Sequence, residues 1–181
     1  MSQLTLYSQF NLRKPYLVSS EIEDVSRYLA EGGVLFEQWQ LSEKSVEEVR
    51  ACLSHDDLTS IINDAEQFRN VRHYQCADVV SVSNTDSFLS VRRNHSLSEH
   101  THTEDEVRLF LSGTVLVYLH INERIQILQC ERGDFLTIPK GVKHWLDMGP
   151  EPSYSCIRWF SSVEGLQHKL TKNYIAESTP R

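Results

Sequence analysis

Between Val107 and Phe160 the chain is a succession of short β-prone runs: Val107–Leu111, Val115–Ile121, Ile125–Gln129, Phe135–Ile138, Lys143–Leu146 and Tyr154–Phe160. Five of the seven glycines lie between Gly113 and Gly165 and punctuate these runs. Val115, Val117, Leu119 and Ile121 alternate with Leu116, Tyr118 and His120, the period of two expected when one face of a strand is buried. Asn122-Glu123 separates two such runs and has the length of a tight turn. Many short strands with regular turns predict a closed antiparallel barrel or jelly roll.

The N-terminal part reads as mixed α and β. Leu4–Phe10 is a candidate strand. Ser20 and Glu23 have capping-box spacing, with Ile22, Val25, Tyr28 and Leu29 following on one helical face, and Gly32-Gly33 ends that helix. Val34–Trp39 and Asp78–Val82 read as strands. Ser45 with Glu48 repeats the capping signal ahead of an apolar series from Val46 to Phe68 that suggests one broken helix or two short ones. The predicted fold is mainly β, with N-terminal helices packed around a barrel core. The chain has 181 residues, the length of one domain. Within it, residues 1–90 are expected to decorate the barrel and add its first strands, 91–165 to form the core, and 166–181 to be a tail.

The charge balance narrows the function. Asp and Glu total 25 against 18 Lys and Arg, a formal net charge of −7. That lacks the basic footprint of non-specific nucleic-acid or anionic-membrane binding. No apolar run approaches the ~20 residues that span a bilayer. Met1–Phe10 does not read as a secretory signal, so a cytoplasmic protein is expected. The four cysteines, Cys52, Cys76, Cys130 and Cys156, contain no Cys-x-x-Cys pair and read as reduced thiols, with a disulfide pair left open.

Eight histidines are present, and two of them stand as His100-Thr101-His102. In an extended segment, residues two apart point to the same side, so both imidazoles can face one point inside a barrel. Glu106 shares that parity if the chain stays extended. His144 follows Gly133–Gly141, which reads as a strand and a Pro-Gly turn. It is the leading fourth member from another strand. Three imidazoles and a carboxylate suit a first-row divalent ion. His55, His73, His95, His120 and His168 have no ligand spacing and read as surface or core residues.

These residues resemble the cupin superfamily. His100 through Glu106 to Gly113 has the spacing of the first cupin motif, and Gly133 to His144 that of the second. Asn94 and Met148 depart from the pattern at positions that carry no ligand. A narrower resemblance is to the acireductone dioxygenase family. Glu99-His100-Thr101-His102-Thr103-Glu104-Asp105-Glu106-Val107-Arg108 looks like its EHTH-x-EDEVR signature. His144–Gly149 with Glu151-Pro152, and Gly33–Trp39, are similar to further segments. The resemblance extends over nearly the whole chain.

It implies one Fe2+ or Ni2+ ion per chain and His100, His102, Glu106 and His144 as ligands. It also implies an acireductone, 1,2-dihydroxy-3-keto-5-methylthiopentene, and O2 as partners, in methionine salvage. With Fe(II) the family's products are 4-methylthio-2-oxobutanoate and formate; with Ni(II) they are methylthiopropanoate, formate and carbon monoxide. An electron-rich enediol dianion reacts with dioxygen itself, the ion serving as Lewis acid and template. Arg108, two residues after Glu106, is expected to point inward and favour the dianion; a salt bridge to Glu104 or Glu131 is its structural alternative. Glu99 has the opposite parity to His100. The resemblance gives it a part in metal incorporation, against a solvated loop carboxylate. Asp105 reads as a hydrogen-bond acceptor holding local geometry or as a surface charge. Arg158 reads as an interior arginine for the anionic substrate or as an outward ion pair.

Family members carry aromatic residues where this chain has Ser96 and Leu146. Trp145 is expected outside the metal cavity, and Cys156 is read as a buried inert thiol. A monomer without nucleic-acid or membrane partners is expected. The competing readings are another metal-dependent cupin enzyme, of isomerase or oxalate type, and a non-enzymatic cupin binding module.

Overall fold

The structure is a computed structural model that describes residues 1–44, 71 and 73–181. Two antiparallel sheets face each other. The larger has the order β12-β5-β10-β7-β8-β1-β2, and the smaller β3-β9-β6-β11-β4. The strands are β1 (Gln3–Ser8), β2 (Leu17–Ser19), β3 (Leu35–Gln38), β4 (Cys76–Ser83), β5 (His100–His102) and β6 (Glu106–Gly113). They continue as β7 (Val115–Ile121), β8 (Arg124–Cys130), β9 (Asp134–Ile138), β10 (Lys143–Asp147), β11 (Ser153–Phe160) and β12 (His168–Leu170). The jelly-roll expectation is met. The predicted runs from Val107 to Phe160 all become strands, with ends shifted by a few residues.

The central hairpin shows why the alternation was legible. Asn122 and Glu123 both take positive φ, 51° and 61°. This is the twist that lets a two-residue loop match right-handed strands, and it pins Ile121 opposite Arg124. Val117, Leu119 and Leu128 then join Leu4, Leu6, Phe110, Leu136 and Cys156 in the core between the sheets. Each such side chain, fully buried, contributes about 1.5–3 kcal/mol. The sheets are also covered outside. Trp39, Leu109, Phe135, Ile157 and Trp159 pack over the smaller sheet. Tyr118, Ile125, Ile127, Trp145 and Ala176 pack over the larger one. Two-sided burial is why Val107–Leu111 is apolar at every position but Arg108.

The chain changes sheet at two places that matter for the site. Gly113 ends β6 and the next strand belongs to the other sheet. Its φ is +70°, and a Cβ there would lie 1.6 Å from the Ser153 carbonyl oxygen, so only glycine fits. Thr103–Asp105 is the other switch, between β5 and β6.

Several expectations are corrected. The first strand stops at Ser8, because the Asn11 N–H turns back onto its carbonyl. Helix α1 spans Ile22–Ala30 with Glu21 at the N-cap and no side-chain cap. Ser19, not Ser20, holds the entry: its hydroxyl accepts from the Glu21 N–H and donates to Asp24. Helix α2, Leu89–Ser96, carries no apolar periodicity and has no fully buried residue, so the pattern did not reveal it. The N-terminal strands are integral: β1 pairs with β8, β3 with β9 and β4 with β11. The expected tail contains β12, paired with β5, and a last helix α3, Ile175–Ser178. Cys76, Cys130 and Cys156 are free thiols. Cys52, His55 and the capping pair Ser45/Glu48 with its apolar series lie outside the described residues. Among those described, no helix is long and apolar enough to cross a membrane.

Candidate metal centre

His100 and His102 sit on β5, alternate residues on one face, and both are buried. β10 lies beside β5 with His144 directly opposite His100. One nitrogen from each of the three imidazoles lies within 4.8 Å of the others. In every ring Nδ1 faces a backbone carbonyl: Ser98 at 2.7 Å from His100, Val142 at 2.9 Å from His144, and Gly165 at 2.7 Å from His102. A carbonyl only accepts, so Nδ1 carries the proton and the Nε2 lone pair is left free. Backbone contacts of this kind orient imidazoles toward a metal.

Glu106 arrives differently from the sequence expectation. The chain does not stay extended after His102; it crosses at Thr103–Asp105, and Glu106 opens β6 of the opposite sheet. Its carboxylate is fully buried. Oε2 lies 3.2 Å from His144 Nε2, and Oε1 lies 3.9 Å from His102 Nε2. Among the described residues, neither Glu106 Oε2 nor His144 Nε2 has a hydrogen-bond partner. Buried polar atoms without partners are costly, about 1–3 kcal/mol each. Two of them converging among three lone pairs fit a cation at that point. The donor set of nitrogens and one carboxylate oxygen suits a first-row divalent ion.

Electrostatics agree. Burial, reinforced by His144 alongside, pushes the His100 imidazole down to about 3. His102 is also lowered, chiefly by burial. Both rings are therefore neutral near pH 7 and need lose no proton to coordinate. Burial alone would raise the Glu106 carboxyl, but the Arg108 guanidinium and the neighbouring histidines hold it well below the usual carboxylate range. Arg108 points inward, and its partner is Glu106 itself, at 2.8 Å, rather than Glu104 or Glu131. Its Nη1 also faces the Cys156 thiol at 3.7 Å. Cys156 is wholly buried, which pushes its pKa up. Arg158 combines both readings: it is bidentate to Asp78, at 3.0 and 2.6 Å, and its Nη1 stands 3.7 Å from Glu106 Oε1.

The remaining assigned residues take supporting positions. Glu99 is not a solvated carboxylate. It is buried on the side of β5 away from the three imidazoles, bonded to His120 at 2.8 Å and Thr171 at 2.5 Å. Asp105 accepts the Lys140 backbone N–H at 2.8 Å. Trp145 packs outside the cavity, stacked on Tyr118 at 5.1 Å between ring centres.

A cavity of about 390 Å³ opens over the imidazoles. Val80, Leu146, Met148 and Tyr154, the guanidinium residues Arg108 and Arg158, and His95, Ser96 and His168 all line it. The sequence reading set His95, His120 and His168 aside, and the fold gives each a place. His168 lies opposite His102 across the β5–β12 pair, with its ring centre 4.7 Å from that of His100. No local spacing announces this, because the pairing joins residues 66 apart in sequence (168 − 102).

The ARD/ARD′ family model matches residues 23–168. The acireductone dioxygenase of Hahella chejuensis is 34% identical over 181 residues, covering 100% of this chain and 96% of that protein. Acireductone dioxygenase 2 of Pectobacterium atrosepticum is 36% identical over 186 residues, covering 100% and 98%. Among solved structures, the acireductone dioxygenase from Bacillus anthracis, with a cadmium ion in its active centre, matches with a TM-score of 0.71 and 25% identity. That match covers 93% of this chain and 98% of the other. Model, relatives and fold agree, and the chain belongs to the ARD/ARD′ family.

Proposed function

We propose that this protein is a metal-dependent dioxygenase that opens an acireductone with O2. The observation that supports it most is the convergence of His100, His102, His144 and Glu106 beside a cavity that Arg108 and Arg158 also line. Those four residues would hold a first-row divalent ion, which would supply Lewis acidity toward the enediol.

The chain's own residues do the rest. Arg108 is buried, and the Glu106 carboxylate more than offsets that burial, raising the guanidinium pKa above its ordinary value. It is a permanent cation beside the cavity. Its Nε has no hydrogen-bond partner among the described residues, so donor capacity remains for an anionic oxygen. A fixed cation in a site shielded from water favours the enediol losing its second proton. Arg158, held by Asp78, adds a second positive charge lining the same cavity. Val80, Leu146, Met148 and Tyr154 keep water from one side of the cavity.

Family resemblance extends the proposal to products. These are 4-methylthio-2-oxobutanoate and formate with Fe(II), and methylthiopropanoate, formate and carbon monoxide with Ni(II). The test is anaerobic reconstitution with each ion, then mixing with acireductone and dioxygen. Oxygen uptake well above the spontaneous rate, with carbon monoxide from the Ni(II) form alone, is the expected result. Uptake no faster than the uncatalysed reaction with either ion overturns the proposal.

A further inference from the structure

We infer that His95 and His168 form an entry site that captures an incoming divalent ion and passes it to His100 and His102. This rests on the metal centre of the proposed function and is independent of the substrate's tail. Five imidazoles carry it. The His95 and His168 rings meet edge to face with centres 4.3 Å apart. His168 stands 4.7 Å from His100 and 6.0 Å from His102, and His100 stands 4.5 Å from His144. Exposure falls along this run: His95 is exposed, His168 partly buried, His100 5% exposed and His144 1%. His95, His168, His100 and His102 line the cavity, whereas His144 and Glu106 lie behind them, outside its described lining. An ion arriving through the cavity therefore meets four imidazoles before the last two ligands.

The two outer rings suit brief capture, and the inner three suit retention. Each inner imidazole has its Nδ1 fixed by a backbone carbonyl, which aims its Nε2. No ring nitrogen of His95 or His168 has a hydrogen-bond partner among the described residues. Each outer ring can therefore turn a lone pair toward a passing ion, and imidazole is a common ligand for first-row ions. Ordering two unaimed rings costs side-chain entropy. A pair of them holds an ion less tightly than three aimed imidazoles and a carboxylate. Transfer inward is then downhill.

Charge alone would not draw a cation into this cavity. Arg92, Arg108 and Arg158 line it. Asp78, the one carboxylate among its described lining residues, is bidentate to Arg158. Fixed positive charges repel an entering dication. The lone pairs of neutral rings attract it by coordination instead. Capture at His95 and His168 sets the ion beside His100 and makes the next step intramolecular, at a high effective concentration.

The test is stopped-flow loading of metal-free protein with Co(II), followed by the ligand-field absorption of the filled centre. His95→Ala and His168→Ala should each load about tenfold more slowly than the wild type, or slower still. Release of the ion to a chelator should slow in the same proportion, because an entry site lies on the path in both directions. Affinity at equilibrium, measured by competition with a metal-binding dye, should stay unchanged. His168 touches the rings of His100 and His102, so His95→Ala decides should His168→Ala lose affinity; His95 is exposed on α2, where alanine keeps the helix. Wild-type loading by His95→Ala overturns the inference and leaves the metal centre standing. So does an affinity that falls in step with its loading rate, which marks a structural defect. No uptake of Co(II) by the wild type overturns the metal centre as well.

Discussion

Asp105 Oδ1 accepts a 2.8 Å hydrogen bond from the Lys140 backbone N–H, and nearby the Gly141 N–H donates to the His102 carbonyl at 3.0 Å. These two bonds join the segment that delivers Glu106 to the turn that delivers His144. The four candidate ligands come from three strands in two sheets, so their convergence depends on such ties. Asp105→Ala removes the first of them and should cost about 1–2 kcal/mol of stability. It should also weaken metal binding by about tenfold or more, the usual effect of losing a support behind a ligand. Asp105→Asn retains an acceptor oxygen and should recover most of both. Urea titration and competition with a metal-binding dye check the pair of variants.

Arg108→Met should separate two roles of the guanidinium. Without it the Glu106 carboxylate, with no solvent exposure, has Arg158 as its nearest cation, at 3.7 Å. Breaking a buried ion pair costs about 3–5 kcal/mol, so the metal-free variant should melt far below the wild type. A bound divalent ion supplies the missing charge, so the metal-loaded variant should recover much of that loss. Turnover should nevertheless fall about 10²–10³-fold, as for loss of one preorganised electrostatic contact. Melting temperatures with and without ion, beside oxygen-uptake rates, distinguish the two contributions. Full turnover by Arg108→Met would remove it from the dianion step.

What the sequence revealed and what it hid follow from how far each signal reaches along the chain. The Asn122-Glu123 hairpin and the pairing of His100 with His102 are local, set by a two-residue turn and by strand parity. Glu106 was found through its motif, although extended-chain parity was the wrong reason, because the chain crosses between sheets first. The supports were invisible because they are distant in sequence: Gly165 and Gln167 behind His102, His120 and Thr171 around Glu99, and Asp78 on Arg158. Helix α2 escaped because it has no buried face to leave a period in the sequence. The His95–His168 contact needed both α2 and β12 to be in place.

The metal-free protein should lose stability in acid through His100. Its imidazole is pushed down to about 3 in the folded chain, against 6.5 when exposed. Between these values the unfolded chain binds the proton and the folded one does not. Stability therefore rises with pH across that window, is fully present above 6.5, and drains away as pH falls toward 3. A His100→Gln variant has no such group and should show a flatter decline between pH 6.5 and 4.5. Urea midpoints of both metal-free proteins over that range measure the difference; parallel curves would show that His100 takes up its proton equally well in the folded state.

Gly165→Ala tests whether His102 is aimed from outside the two motifs. The Gly165 carbonyl accepts the His102 Nδ1–H at 2.7 Å, with the Gln167 carbonyl behind it at 3.0 Å. A Cβ at 165 would lie 2.6 Å from Glu104 Oε2 and 2.7 Å from the Phe160 ring. Glu104 cannot easily give way, because both its oxygens are bonded to Ser162, through the backbone N–H at 2.9 Å and the hydroxyl at 2.5 Å. The strain should instead move the 163–166 turn and the carbonyl it carries. Loss of that aim should weaken metal binding about 10–100-fold. The core strands do not pass through this turn, so the metal-free protein should lose less stability than the metal-loaded one. Glu104→Ala on the same background removes the nearest clash and should restore part of the affinity. Metal titrations of the single and double variants read this directly; wild-type affinity in Gly165→Ala would show that the Gly165 carbonyl does not set the His102 ring.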